Sequence, residues 1–91
     1  MALVSLNEVL KESVEKKYAV GAFDAAEHGY VEAILEGAEE KGVPVILMLA
    51  EGFFNYTNMD KFVPYVLDRI NRSPVPVCLH LDHGSTYEVC L

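Results

Sequence analysis

The sequence predicts an α/β fold in which a leading helix is followed by strand, helix, strand, helix and strand, with the strands parallel. Three observations predict it. Short apolar runs at 18–23, 43–49 and 75–81 are separated by two amphipathic stretches of helical period. The middle run, Val-Pro-Val-Ile-Leu-Met-Leu, is apolar at every position, as expected of a strand covered on both faces. Helices that alternate with strands act as crossovers, and crossovers return the chain to the same sheet in parallel and with a right-handed turn.

Each element has a local cause. Ser5 and Glu8 form a capping box, and Leu6, Val9, Leu10 and Val14 follow at helical spacing to about Lys17. The run Tyr-Ala-Val-Gly-Ala-Phe at 18–23 then ends at Asp24. Val31, Ile34, Leu35 and Ala38 make one apolar stripe, with Glu32, Glu36, Glu39 and Glu40 facing away from it. Gly42 closes this helix where a left-handed backbone is least costly. After the middle strand, 51–57 is a loop carrying Gly52 and Tyr56. From Asn58 a third stripe runs through Met59, Phe62, Val63, Val66, Leu67 and Ile70. Pro64 lies within it and removes a backbone donor, which predicts a loose or kinked first turn. Asn71-Arg-Ser-Pro breaks the helix, 75–81 is the third strand, and a further helix begins after Gly84.

Parallel strands buried on both faces need neighbours on either edge, and three of them leave two edges bare. A complete (β/α)8 TIM barrel takes about 250 residues. Residues 1–91 are therefore expected to be a single partial domain, roughly the first third of such a barrel.

Composition narrows the function classes. The chain is 52% hydrophobic and 23% charged, with 7 basic and 14 acidic residues and a net charge of −7. That acidity disfavours nucleic acid and anionic membranes as partners. The longest uncharged apolar stretch, 43–50, is far short of the roughly 20 residues of a membrane helix. No secretory layout is visible at the N-terminus, and Cys78 and Cys90 read as reduced thiols, so the expected location is cytoplasmic.

All parallel strands end on one rim, where active sites of such folds assemble. Here the strand ends present Asp24, then Ala50-Glu51-Gly52, then Asp82-His83-Gly84. A carboxylate fixed at a strand terminus suits general acid/base work, which is the candidate role of Asp82; the plainer reading is a turn-capping aspartate. His83 suits a metal ligand, since neutral imidazole binds zinc through one nitrogen, although a lone histidine is more often structural or merely exposed. His80 shares strand parity with Asp82 and reads best as a satisfied core histidine. Asp24 either meets a substrate hydroxyl or caps its loop. Glu51 and Tyr56 read as solvated or packing residues, and Ser85 and Thr86 as helix caps. The run Cys78-x-His80-x-Asp82-His83 also echoes the metal motif of metallo-β-lactamase-like hydrolases, but it lacks their first histidine and their antiparallel strands.

Taken together, these segments resemble the class II, zinc-dependent ketose-bisphosphate aldolases. The resemblance rests on the opening helix, the run at 18–23, Ala38-Glu39-Glu40, Pro44-Val-Ile-Leu47, Glu51-Gly52 and Tyr56, and above all on Val75-Pro-Val-Cys-Leu-His-Leu-Asp-His-Gly84. It implies a (β/α)8 barrel, dimeric when complete. The implied reaction is reversible cleavage of fructose or tagatose bisphosphate to dihydroxyacetone phosphate and an aldehyde, placing the protein in carbohydrate metabolism and glycolysis. By the same resemblance His83 is one of three histidines on Zn2+ and Asp82 is the general acid/base. The other two histidines and the phosphate-binding loops belong to later strands outside this chain. Two positions near the substrate depart from the pattern, with Asp24 where the family usually has Asn and Ala50 where it often has Ser. A carboxylate there repels a phosphosugar, and the lost hydroxyl removes a phosphate contact. The competing expectation is a non-catalytic segment that pairs its open sheet edge with another chain.

Overall fold

The computed structural model describes residues 3–91. Helix α1 spans Leu6–Lys16, and its capping box closes through two reciprocal bonds of 3.2 Å between Ser5 and Glu8. Strand β1 (Ala22–Asp24) is followed by helix α2 (His28–Lys41), strand β2 (Val45–Ala50) and a 3-10 turn at Glu51–Phe53. Helix α3 (Met59–Asn71), strand β3 (Val77–Asp82) and a short helix α4 (Tyr87–Cys90) complete the chain. The three strands form one parallel sheet in the order β1-β2-β3. This excludes the antiparallel route that the metallo-β-lactamase pattern requires.

The strands start later than the apolar runs, and hydrogen bonding explains why. Ala22 pairs with Ile46, so residues 18–20 would need partners at 42–44. Those positions are committed to ending α2: Gly42 is left-handed at φ 66°, the Val43 amide donates to the Ala38 carbonyl at 3.1 Å, and Pro44 has no N–H. Helix α3 is continuous through Pro64 rather than loose in its first turn. The acceptor that Pro64 deprives is the Asp60 carbonyl. Asp60 and Pro64 are both exposed, so the unpaired carbonyl lies at the solvent-facing side of the helix.

The two faces of the sheet are covered differently. Val45, Leu47, Leu49 and Val77 meet Val31 and Leu35 of α2 and Phe62, Val66 and Ile70 of α3 in one continuous core. Between these helices lies Arg69, with only 8% of its surface exposed. It holds Glu39 in a two-pronged pair at 2.9 and 3.1 Å and Glu32 at 2.9 Å. Tyr65 also bonds Glu32, and Ser73 donates to Glu39 at 2.7 Å.

On the opposite face a smaller cluster joins Ile46 and Cys78 to Val9 of α1, with Val4, Val20 and Met48 at its margin. Helix α1 thus closes the end of this face where the strands begin. Leu3 bridges to Val77, and the Val4 amide donates to the Val77 carbonyl at 2.9 Å, which covers the start of the β3 edge. Towards the ends of the strands this face stays open. Both cysteines are free thiols. Among the described residues, no helix is long and apolar enough to cross a membrane.

Candidate active site

Strand register places the chemistry. Asp24 and His80 both lie level with Met48, and Asp82 lies level with Ala50, one step nearer the rim. Side chains two apart share a face of a strand. Asp24, Met48, His80, Ala50 and Asp82 therefore share the inner face above the plug formed by α1, and the sequence-predicted residues meet there. Asp24 and Asp82 lie on this face on either side of β2, and Asp82 bears on the protonation of Asp24. Partial loss of water, then the bond to Asp82 and its charge, push the Asp24 carboxyl above its ordinary range, while His83 and His80 pull the other way. His80 itself is exposed, not a core histidine, because nothing covers this half of the face.

Asp82 keeps 23% of its side chain in solvent, and His83 keeps 85%. The His83 Nε2 lies 3.8 Å from Asp82 Oδ2. The His83 backbone is left-handed at φ 55°, an uncommon conformation for a residue with a Cβ. It swings the chain sharply off β3, so that the imidazole stands on the rim beside the strand-terminal carboxylate. At Gly84 a Cβ would come 2.8 Å from Cys90 Sγ and 3.0 Å from Leu81 Cδ2, so a side chain there would require those two to shift.

The rim loops are tied to one another. Thr57 Oγ1 donates to the Ala26 carbonyl at 2.8 Å, joining the loop after β2 to the loop after β1. Glu51 accepts from the Ser85 amide at 2.7 Å and from its hydroxyl at 2.9 and 2.8 Å, joining the loop after β2 to the loop after β3. These bonds, the amide's first, hold the Glu51 carboxyl below its usual range. Only Thr86 caps α4, accepting from the Val89 amide at 3.2 Å. Glu51 is the residue that sequence reasoning passed over. The available signal was Ser85 directly before Thr86, two hydroxyls where one cap suffices.

A bound metal requires several donors at once. Among the described residues, no group of three or more His, Cys, Asp or Glu side chains could hold one. The exposed His83 ring fits a single position in a zinc site, and the remaining ligands are not in this arrangement.

Known proteins match both the sequence and the fold. The family model for class II fructose-bisphosphate aldolase matches residues 4–91. The chain belongs to the class II fructose-bisphosphate aldolase family. The fructose-bisphosphate aldolase of Geobacillus stearothermophilus is 42% identical over 93 residues, covering 99% of this chain and 32% of that one. A Staphylococcus aureus fructose-bisphosphate aldolase is 38% identical, again over 99% of this chain and 32% of its own. The crystal structure of the YdjI aldolase from Escherichia coli K12 superposes with a TM-score of 0.92 at 26% identity, covering 97% of this chain and 34% of that one. The chain thus spans about a third of the length of these relatives. Its three parallel strands are the N-terminal part of an aldolase barrel. Membership of this family brings a general dependence on a metal ion.

Proposed function

We propose that this chain supplies the first third of the active site of a zinc-dependent aldolase, which cleaves a ketose phosphate reversibly to dihydroxyacetone phosphate and an aldehyde. One observation carries the reading: Asp82 and His83 adjoin at the carboxyl end of a parallel strand, on the open inner face, with Asp24 facing them. His83 offers a neutral imidazole as one zinc ligand. The metal, when bound, supplies a Lewis acid that stabilises the negative charge developing on the substrate ketone oxygen. Asp82 gives or takes the proton at the hydroxyl of the cleaved carbon–carbon bond, from a carboxylate that the β2–β3 ladder already fixes in place. Asp24 and Ala50 border the substrate: Asp24 accepts from a substrate hydroxyl, and Ala50 leaves the site without a hydroxyl of its own. The complete protein is a cytoplasmic homodimer of carbohydrate metabolism, with a phosphosugar as its partner molecule and neither nucleic acid nor membrane.

The test is a chimera in which this chain replaces the matching first third of the Geobacillus stearothermophilus aldolase. Asp82→Asn in that chimera is expected to lower kcat by roughly 10²–10⁴-fold, the usual scale of general acid/base loss. Cleavage within twofold of the parent would remove the proton role.

The second reading, a non-catalytic assembly module, is favoured by apolar grooves flanking both sheet edges. One is lined by Phe23, Ile34, Val43 and Pro44, the other by Met59, Val63, Leu79 and Leu81. A chimera that assembles and binds zinc but never cleaves would select it.

A further inference from the structure

We propose that Glu51 is a positioning residue for the catalytic turn, acting through Ser85 on the backbone that carries Asp82 and His83. The inference deepens the aldolase reading and rests on it. The turn after β3 is fixed at two points. Asp82 is held by its register opposite Ala50, the last residue of β2. Ser85 is held three residues later by Glu51, the residue directly after Ala50, through both its amide and its hydroxyl. The same β2 terminus therefore grips both ends of the turn, and only His83 and Gly84 lie between.

Closing so short a span forces one residue into the left-handed region, and His83 takes it at φ 55°. A glycine would adopt this conformation freely, but Gly84 occupies the neighbouring position, where a Cβ would press on the side-chain ends of Cys90 and Leu81. The unfavourable conformation of His83 is thus imposed by its surroundings. The Glu51–Ser85 clamp is the part of those surroundings that does not belong to the turn. A carboxylate suits the task because it offers two oxygens to the two donors of one residue, and because bonds to a charged acceptor are stronger than neutral ones. Without the clamp, the His83 backbone is free to relax into the ordinary extended or helical regions. Its imidazole then leaves the rim and moves away from the Asp82 carboxylate, which the β2–β3 ladder holds in place.

Three variants and two kinds of readout test this. In the 91-residue chain, Glu51→Ala is expected to speed exchange of the Ser85 amide by about tenfold or more, with the amides of Leu47 and Val66 in the outer core unchanged. The strong intraresidue amide-to-Hα cross-peak that a left-handed His83 gives in NMR spectra is expected to weaken in parallel. Ser85→Ala, which keeps the amide bond, is expected to give a smaller effect in the same direction. Glu51→Gln retains one acceptor oxygen and is expected to hold the cross-peak. In the chimera, Glu51→Ala is expected to lower kcat about tenfold with KM within about twofold, since displacing a reacting group costs rate more than binding, and Glu51→Gln to restore most of it. An unchanged His83 cross-peak with Ser85 exchange within about twofold overturns the proposal and leaves the aldolase reading standing. A loosened turn with unchanged kcat overturns it as well. A chimera inactive with Glu51 intact overturns the aldolase reading and the positioning role together.

Discussion

The two faces of this sheet are built from the same three strands and yet obey different rules. The outer face buries Val45, Leu47, Leu49 and Val77 under two helices, and its charged residue, Arg69, is matched to Glu39 and Glu32. The inner face buries Ile46 and Cys78 under α1 at one end and leaves Asp24, His80 and Asp82 uncovered at the other. On the outer face opposite charges sit together and stabilise one another. On the inner face Asp24 and Asp82 lie on either side of β2, with no basic partner between them among the described residues, and the Asp24 carboxyl is pushed above its ordinary range by partial loss of water and by Asp82. Matched charge and packing lie on one side of the sheet, and the proposed chemistry on the other.

The largest contrast is expected from truncation. Phe62, 1% exposed, packs into the outer core. Phe62→Ala is expected to lower the unfolding free energy by about 3–5 kcal/mol in urea denaturation. His80→Ala on the open inner face is expected to stay within about 0.5 kcal/mol of the parent. Equal losses at the two sites would erase the distinction between the faces.

The Arg69 network is the next largest effect, and it carries a pH signature. Bonds from Arg69 and then Ser73 hold the Glu39 carboxyl below its usual range, and Tyr65 and then Arg69 do the same for Glu32. A carboxyl depressed in the folded state contributes stability above its unfolded pKa and loses it as pH falls through the folded value. Arg69→Met is therefore expected to cost about 2 kcal/mol at pH 7, where it strands two half-buried carboxylates. The gap between variant and parent should narrow steadily below pH about 4.5, as both carboxyls protonate. A gap that widens in acid would contradict the pairing.

The smallest effect concerns the rim. Asp24→Asn removes the charge that faces Asp82 and any phosphate brought to the site. In the chimera it is expected to lower KM for a ketose bisphosphate by roughly fivefold, worth about 1 kcal/mol at the screened dielectric of an open rim. Asn keeps an acceptor oxygen for the substrate hydroxyl, so an unchanged or higher KM would show that the Asp24 charge does not repel the phosphosugar.

Much of this was legible in the chain. The order of elements follows from local periodicity, and the caps at Ser5, Gly42 and Thr86 follow from short-range chemistry. Asp82 and His83 were legible because strand and turn are both local, so a strand end names a rim residue. His80 was misjudged, because burial depends on what stands opposite, which no local pattern reports. The strand starts were displaced by two or more residues because Pro44 and the cap at Gly42 use up the donors that pairing would need. Glu51 was invisible as a partner of Ser85, since 34 residues separate them and either side chain alone is ordinary loop chemistry.

The sequence alone determined the alternation of strand and helix and the pair of groups at positions 82 and 83, because each is set by interactions within a few residues, and the parallel sense of the sheet followed from that alternation through its crossovers. Only the tertiary structure decided which face stays open, that Asp24 and Asp82 share it across an intervening strand, and that Glu51 bonds Ser85 beside a left-handed His83. Those features arise where distant segments share one register, and a register exists only once the sheet has formed.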